Sequence, residues 1–294
     1  MAKLEHVVVV LAYNDNEAIK AYLEQTVALP SVDKVILVDN CSTTGLYQEL
    51  QDFVTEQGLV HKVDCLQTTH NGGYAFGNNV GMRYAIEHYQ PTYISLSNAD
   101  VSLNEEALKA CMTALADQKD LAFVAPQMVS NRPEKASWPV PTYWDLVGDN
   151  LILLRGLMKR LKPAKTPLTG IELVGVIAGS YYMGRADIFE ALGFLDERTF
   201  LYGEENILGF KVQQAGMTNQ ILHDVHFTHH HSTSINTNIQ SVGKRLDILR
   251  DSCHIYLKHY LNCPSWQIAL FDFSHLIGKV TYLSAKMIGN AIKQ

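Results

Sequence analysis

The N-terminal part of the chain alternates between short apolar runs and stretches of helical periodicity, and this alternation constrains the fold more than any other feature. Residues 7–11 and Lys34–Asp39 are apolar at nearly every position, which is typical of strands buried on both faces of a parallel sheet. Further strands are predicted at 62–66, 92–97 and 122–125, the last ended by Pro126. Helices are predicted between them, at Asn16–Val27, 45–57, 71–88 and 105–118. This order predicts a doubly wound α/β sheet.

The second half of the chain has a weaker pattern. We expect residues 127–170 to be irregular, and strands at 177–183 and 225–228. Helices are predicted at 187–192 and 204–216, and the chain from 238 onward is predicted to be helical. The sequence therefore predicts one α/β domain followed by a helical C-terminal extension.

The bulk composition narrows the class of protein. The chain has 294 residues, of which 47% are hydrophobic, so it can bury a large core. The net charge is -6 and no basic stripe dominates, which makes nucleic acid a poor candidate for a partner. The five cysteines are widely spaced and form no Cys-x-x-Cys pair, so reduced thiols and a cytoplasmic location are expected.

Polar residues follow the predicted strands where those strands end. They are Tyr13–Asn14, Asp39–Asn40 and 98–100. Ligands of doubly wound sheets bind beyond the carboxyl ends of the strands, so these segments should meet in one crevice. A carboxylate such as Asp100 suits a hard divalent cation that also binds phosphate oxygens, but it could equally cap the next helix. Residues 39–42 could bind a base or ribose, or form an Asx turn.

Three further segments carry candidate chemistry. The glycine-rich stretch 71–79 opens a helix whose N-terminus favours an anion, with a plain turn as the alternative. Glu204 and Glu205 begin a helix, where they could complement the helix dipole or supply a general base. The histidines at 229–231 could complete a metal site or lie in a solvated loop.

Taken together, these segments resemble the family 2 inverting glycosyltransferases of the GT-A fold, a Rossmann-like mixed sheet, and especially their rhamnosyltransferase-like branch. The resemblance extends over about residues 6–235 and lies in the order of the motifs. In chain order these are 10–14, 38–42, 71–79 with Gly81, 96–100, 178–180, 193–197, 200–205, and His229 with Ser234. It implies a transferase domain at 1–235, with a nucleotide-sugar half at 1–126 and an acceptor and catalytic half at 127–235, and an extension at 236–294.

The resemblance also implies roles for individual residues. Glu205 matches the catalytic base, although the family has Asp there. Asp100 and His229 match the site for Mg²⁺ or Mn²⁺, with His231 as second choice, and Asn98 replaces the first Asp of the family's Asp-x-Asp motif. The implied donor-binding residues are Ala12, Tyr13, Asp39, Ser42, Asn71, Gly73, Asn98, Ala99 and Asp100. The implied acceptor-binding residues are Trp138, Gly179, Ser180 and Glu204.

The donor implied by this branch is dTDP-rhamnose, with a UDP-hexose as the alternative, and the acceptor is a glycan or a polyprenyl-linked glycan of the cell surface. Two other functions are weighed against this one. A sugar-1-phosphate nucleotidyltransferase would need a basic glycine-rich loop after the first strand, and residues 13–16 offer none. A non-catalytic nucleotide-sugar-binding module would keep Asp39 and Asp100 but need no base.

Two segments favour contact with a membrane surface. Residues 151–165 contain five basic residues and no acidic one, and no acidic residue follows Asp272. Apolar and basic residues alternate in both segments, as they do in helices that lie on anionic lipid. We therefore expect either a peripheral position on the inner face of the plasma membrane or, as the alternative, an ordinary core helix or a homodimer face.

Overall fold

The computed structural model describes residues 4–132, 134–151, 169–230 and 241–291, with side chains described as far as residue 287. The first half contains, in chain order, β1 (His6–Ala12), α1 (Asn16–Val27), β2 (Lys34–Asp39), α2 (Leu46–Glu56), β3 (Val63–Gln67), α3 (Tyr74–Tyr89), β4 (Tyr93–Ser97), β5 (Val101–Ser102), α4 (Glu105–Asp117) and β6 (Leu121–Ser130). The second half contains β7 (Ser137–Trp138), α5 (Tyr143–Asn150), β8 (Ile171–Val174), β9 (Val176–Ile177), β10 (Tyr181–Arg185), α6 (Ala186–Ala191), α7 (Glu204–Gln214), β11 (Thr218–His229), α8 (Val242–His259) and α9 (Ser265–Ala291).

The strands form one mixed sheet, as predicted. Within the described residues it has nine strands, in the order β3-β2-β1-β4-β10-β6-β11-β5, with β8 also paired to β11. The four strands from β3 to β4 are parallel, whereas β10 runs antiparallel to both β4 and β6. The carboxyl ends of β1, β2, β3 and β4 therefore lie along one edge.

Helices cover both faces of the sheet because the strand residues alternate between two cores. In β1, Val8 and Val10 face one core, which α1, α2 and α4 complete. Val7 and Val9 face the other, to which α3, α6 and α7 contribute. Since side chains alternate along a strand, a run of consecutive apolar residues serves both cores. The prediction of a doubly wound sheet is confirmed.

A third apolar core joins α5, α8 and α9 to α7. Its buried members are Tyr143, Leu146, Val147, Ile207, Cys253, Tyr256, Leu257 and Phe271. The helix that begins with Glu204 and Glu205 therefore packs on the sheet through one face, and on the C-terminal helices through another.

Three sequence expectations differ from the structure. Pro126 lies inside β6 rather than at its end. Pro126 lies opposite Leu222 of β11 beside a register shift, and β10 pairs with β6 only at Phe123 and Val124, so proline interrupts no continuous ladder there. Residues 127–170 are not wholly irregular, since they contain β7 and α5, and Thr142 begins α5 with a capping box. The predicted strand 177–183 is two strands, β9 and β10.

The basic segment is only partly described, because residues 152–168 lie outside the described part of the chain. Within the described residues, no helix is long and apolar enough to cross a membrane.

Candidate active site

The loops after β1 and β2 are joined by hydrogen bonds. The Asn14 backbone N–H donates to Ser42 Oγ at 2.9 Å, and Asn14 Oδ1 accepts from the Thr43 backbone N–H at 3.0 Å. The backbone N–H of Asn40 donates to the carbonyl of Ala12 at 2.9 Å. The structure therefore brings the first two predicted polar segments together, with Tyr13 half-buried between them.

Asp39 is buried at the end of β2, with its carboxylate held on two sides. Its Oδ1 accepts from the Ser42 backbone N–H at 3.2 Å, and its Oδ2 accepts from Gln67 Nε2 at 2.9 Å. The first bond closes a turn of three residues, one residue longer than the expected Asx turn. The turn fixes the loop that carries Asp39 and Ser42 at the edge of the crevice.

The glycine-rich loop is held by Asn71 and by the segment before α7. Asn71 Oδ1 accepts from the Gly73 backbone N–H at 3.1 Å and from Asn40 Nδ2 at 3.0 Å. Gly73 has φ 94°, and a Cβ on it would lie 2.1 Å from the carbonyl oxygen of Phe200. No other residue fits there, so the chain uses glycine. Asn40, which lies in a predicted polar segment but had no role of its own assigned, is the buried residue that joins β2 to this loop.

Tyr74 connects the two halves of the crevice. Its backbone N–H donates to the Phe200 carbonyl at 2.8 Å, and its hydroxyl donates to the Gly179 carbonyl at 2.8 Å. Burial, together with the negative charges of Glu204, Glu205 and Asp100, raises the pKa of this phenol well above its ordinary value. Asp100 and the glutamate pair therefore act on the same partly buried side chain. Sequence reasoning missed Tyr74, although it lies inside the glycine-rich motif.

Asp100 and His229 are neighbours, as predicted. His229 Nε2 lies 3.3 Å from Asp100 Oδ1, and its Nδ1 lies 3.0 Å from Glu134 Oε2. Burial disfavours the charged imidazole, but hydrogen bonds and charge from both carboxylates outweigh it and raise the pKa of His229. Glu134 had no signal in the sequence, because it is a single acidic residue in a segment without periodicity.

The imidazole of His229 lies between two carboxylates, with Nε2 toward Asp100 and Nδ1 toward Glu134. Among the described residues, no group of three or more His, Cys, Asp or Glu side chains is arranged to hold a metal ion. A cation at this point would thus receive one carboxylate and one imidazole from the protein. Its other ligands would come from water or from a bound phosphate group.

Glu204 and Glu205 begin α7 side by side, and their environments differ. Glu204 is 4% exposed, and its Oε2 has no hydrogen-bond partner among the described residues. Glu205 is partly exposed. Burial and the charge of Glu205 raise the pKa of Glu204 well above its ordinary value. Burial also raises the pKa of Glu205, although backbone N–H groups, including that of Gly179, oppose the shift. Of the two, Glu205 is the carboxylate open to the crevice.

The predicted acceptor-side residues lie around this pair, with one exception. Gly179 abuts Glu205, since a Cβ on it would lie 2.9 Å from Glu205 Oε1. Trp138 donates from Nε1 to Asn206 Oδ1 at 2.7 Å, which holds the indole against the start of α7. The Ser180 side chain is buried and its hydroxyl lies 3.6 Å from Met128 Sδ, so it faces the core rather than the crevice.

The remaining predicted residues are placed as follows. The Asn98 backbone N–H donates to the Ser180 carbonyl at 2.9 Å, which fixes the turn after β4. Ala99 is half-buried and packs against the core that contains α1. His231 and Ser234 lie outside the described residues.

Solved structures with the same fold define the class of this protein. GalNAc-T7 with UDP, GalNAc and Mn²⁺ aligns with a TM-score of 0.60 at 14% identity, covering 78% of this chain and 44% of that one. The mannosyltransferase PcManGT from Pyrobaculum calidifontis, with GDP-Man and Mn²⁺, aligns with a TM-score of 0.56 at 14% identity, covering 99% and 81%. The fold is that of the GT-A glycosyltransferases.

The family follows from the sequence. The profile of glycosyl transferase family 2 matches residues 7–193, and the chain belongs to this family. The match ends before Glu205 and His229. The low-salt glycan biosynthesis hexosyltransferase Agl10 of Haloferax volcanii is 25% identical over 201 residues, and the rhamnosyltransferase WbbL of Escherichia coli K12 is 22% identical over 235 residues.

The two relatives are matched over different shares of their length. The aligned region covers 67% of this chain and 58% of the archaeal hexosyltransferase, and 77% of this chain and 85% of the bacterial rhamnosyltransferase. The chain thus spans little more than half of the first relative.

The buried glutamate pair predicts a pH-dependent change in stability. A carboxyl group with a raised pKa binds its proton more tightly in the folded chain, so wild-type stability falls as the pH rises above the unfolded value of about 4.3. Glu204→Gln removes this loss. We expect the variant to be more stable than wild type at pH 8, by roughly 1 kcal/mol or more, because each pKa unit is worth about 1.4 kcal/mol.

Urea unfolding between pH 4.5 and pH 8 measures this difference. The advantage of Glu204→Gln should shrink toward pH 4.5, while Glu24→Gln, a change of an exposed carboxylate on α1, should show little dependence on pH. A Glu204→Gln variant that is less stable than wild type at every pH would contradict the assignment of a raised pKa.

Proposed function

We propose that the protein is an inverting glycosyltransferase that moves rhamnose from dTDP-rhamnose to a glycan or lipid-linked glycan in cell-surface polysaccharide synthesis. The observation that carries this proposal is that the Tyr74 hydroxyl donates to the Gly179 carbonyl at 2.8 Å, beside Glu205, while the charges of Asp100, Glu204 and Glu205 all raise the pKa of this phenol. A site for a diphosphate and a site for a base thus open on one crevice. A UDP-hexose is the alternative donor. Rhamnose is placed first because of the sequence resemblance and the similarity to the bacterial rhamnosyltransferase.

The donor is proposed to lie along the carboxyl ends of β1, β2 and β4. Its nucleoside would contact Ala12, Tyr13 and the turn that joins Asp39 to Ser42. The loop held by Asn71 and Gly73 would line the pyrimidine side, and residues 98–100 would face the diphosphate. This assignment is supported by two hydrogen bonds that join the loops: Asn14 N–H donates to Ser42 Oγ, and Asn40 Nδ2 donates to Asn71 Oδ1.

A divalent cation, Mg²⁺ or Mn²⁺, is proposed to be held by Asp100 and His229. The residues fit such an ion, because a carboxylate oxygen and an imidazole nitrogen face each other at 3.3 Å. Glu134 accepts from Nδ1 and so leaves Nε2 to point toward Asp100. When bound, the cation would offset the charge that develops on the nucleoside diphosphate. The two similar solved structures named above contain Mn²⁺.

The acceptor is proposed to approach from the side of Trp138 and Gly179, with Glu204 buried beneath Glu205. Glu205 would take the proton of the acceptor hydroxyl, and its raised pKa suits a general base that works near neutral pH. The acceptor oxygen would form its bond to the anomeric carbon while the bond from that carbon to the diphosphate oxygen breaks. One displacement inverts the configuration at that carbon.

The first test concerns the base. Glu205→Gln keeps the shape of the side chain but cannot accept the proton, so we expect the turnover number to fall by about 10² to 10⁴. Donor binding, measured by thermal shift, should be retained. The wild-type rate should rise with pH as Glu205 loses its proton. The residual activity of Glu205→Gln should not show this rise. The matched control, Glu190→Gln on the exposed side of α6, should keep full activity. Wild-type turnover in Glu205→Gln would refute the role.

The second test concerns the donor. Thermal shift with Mn²⁺ and a panel of dTDP-rhamnose, UDP-glucose, UDP-GalNAc and GDP-mannose should show the largest rise in Tm with dTDP-rhamnose, because a ligand that binds only the folded chain stabilises it. A rise confined to a UDP-sugar would select the alternative donor. The absence of a rise with any member would contradict nucleotide-sugar binding.

The third test concerns the cation. Glu134→Ala removes the partner of His229 Nδ1, and we expect the affinity for Mn²⁺ in the presence of dTDP to fall about 10- to 100-fold. Isothermal titration calorimetry measures this affinity directly. Glu172→Ala is the matched control, because it breaks a similar contact of 3.0 Å between Glu172 Oε2 and His223 Nε2 elsewhere on β11. Equal losses in the two variants would rule out a specific role for Glu134.

A further inference from the structure

The C-terminal helix α9 exposes a continuous row of large apolar side chains. Seven of them follow the three- and four-residue spacing of one helix face, and we call this row the apolar stripe. Its members, with their exposed fractions, are Trp266 (61%), Leu270 (36%), Phe273 (60%), Leu276 (58%), Ile277 (41%), Val280 (55%) and Met287 (73%). The stripe runs roughly 32 Å along the helix, from the rise of 1.5 Å per residue.

The orientation of α9 is fixed by its opposite face. Phe271 lies in the third core, and the Ser274 hydroxyl accepts from Asn150 Nδ2 at 3.0 Å. Gly278 lies against the end of α5, since a Cβ on it would be 1.9 Å from the Asn150 carbonyl oxygen. Because this face is packed on α5 and α8, rotation of the helix cannot bury the stripe.

The extent of the stripe separates it from ordinary surface apolar residues. Single exposed leucines or valines are common on folded proteins, but contiguous apolar patches of more than a few hundred Å² mark binding surfaces. The stripe is also amphipathic rather than apolar all round, since Asp272, His275 and Lys279 lie on the same helix. This pattern is typical of a helix that lies along an interface.

Charge on α8 and α9 indicates what the interface is. Residues 241–291 contain six Lys or Arg and three Asp, whereas the whole chain has a net charge of -6. Each Asp has a basic partner: Asp247 contacts Lys279 at 2.6 Å, Asp251 contacts Arg250 at 2.8 Å and Asp272 contacts His254 at 2.7 Å. Helices α8 and α9 therefore carry a net charge of +3, and with Asp145 and Asp149 of the adjoining α5 the three helices keep a net charge of +1 within an acidic protein.

We propose that the apolar stripe of α9 binds the surface of an anionic lipid bilayer, with the helix parallel to the membrane plane. The apolar side chains would enter the acyl boundary, while the exposed Lys286 of the same helix would extend its ammonium toward anionic headgroups. A second copy of the chain is the less suitable occupant, because stripe-to-stripe contact would bring two cationic regions together. The proposal goes beyond the transfer reaction, since lipid binding requires neither the donor nor Glu205.

Co-sedimentation with vesicles tests the proposal on the full chain. Wild type should sediment with phosphatidylcholine vesicles that contain phosphatidylglycerol at low salt, and much less with pure phosphatidylcholine. The double variant Phe273→Glu, Leu276→Glu should lose at least ten-fold in bound fraction, and circular dichroism should show unchanged helix content because both side chains are exposed. The control Val60→Glu changes a residue of 59% exposure on another surface and should bind as wild type does.

Two outcomes would overturn the proposal. The first is wild type that stays in the supernatant with anionic vesicles, or a double variant that sediments as well as wild type. The second is a wild-type dimer in analytical ultracentrifugation that the double variant abolishes, which would assign the stripe to a second copy. Glu205→Gln should bind vesicles as wild type does, so a failure of lipid binding and a failure of the proposed transfer reaction are distinguishable.

Discussion

The contact between the glycine-rich loop and the Phe200 carbonyl is the constraint on which the rest of the crevice depends. The backbone N–H of Tyr74 donates to this carbonyl at 2.8 Å, and Gly73 passes so close that no Cβ can be accommodated. On one side of the contact lie the strand ends that carry Asp39 and Asp100. On the other lies the segment that leads into α7 and Glu205. Because this contact is made by backbone atoms without an intervening side chain, it fixes the distance between the strand ends and the start of α7. Such a fixed distance suits a reaction that requires aligned groups.

The electrostatics of the crevice follow from this rigidity. Glu204 and Glu205 are held next to each other by the first turn of α7, and burial raises the pKa of both. Asp100 and Glu134 instead share an imidazole, which each of them approaches from a different ring nitrogen. The site thus has one carboxylate pair that favours a bound proton and one that favours the charged form of the His229 imidazole. The two carboxylate pairs lie in different environments, and carboxylates in different environments can take different chemical roles.

The sequence predicted the sheet more accurately than the crevice, and for physical reasons. The bounds of α1 and β2 agreed with the structure, because Asp15 caps α1 and because the apolar run of β2 ends at a polar turn. The end of β6 was predicted wrongly at Pro126, because the effect of a proline depends on which neighbouring strand pairs with it. A single sequence does not show this pairing. The role of Asn40 within its predicted segment, and Glu134 altogether, were missed for a similar reason. Each acts through a partner more than 30 residues away, so neither leaves a local pattern.

Helix α7 takes part in two cores, and this has a consequence for how the protein unfolds. Leu208 and Val212 pack under the sheet, whereas Ile207 packs with Tyr256 and Phe271 of the C-terminal helices. If those helices separated, the face of α7 that carries Ile207, close to Glu205, would lose its packing partners. We therefore expect the C-terminal helices and α7 to unfold as one cooperative unit, so that slow hydrogen exchange in α7 depends on both. In a chain truncated before α8, we expect Glu204 and Glu205 to lose their ordered positions before the parallel strands unfold.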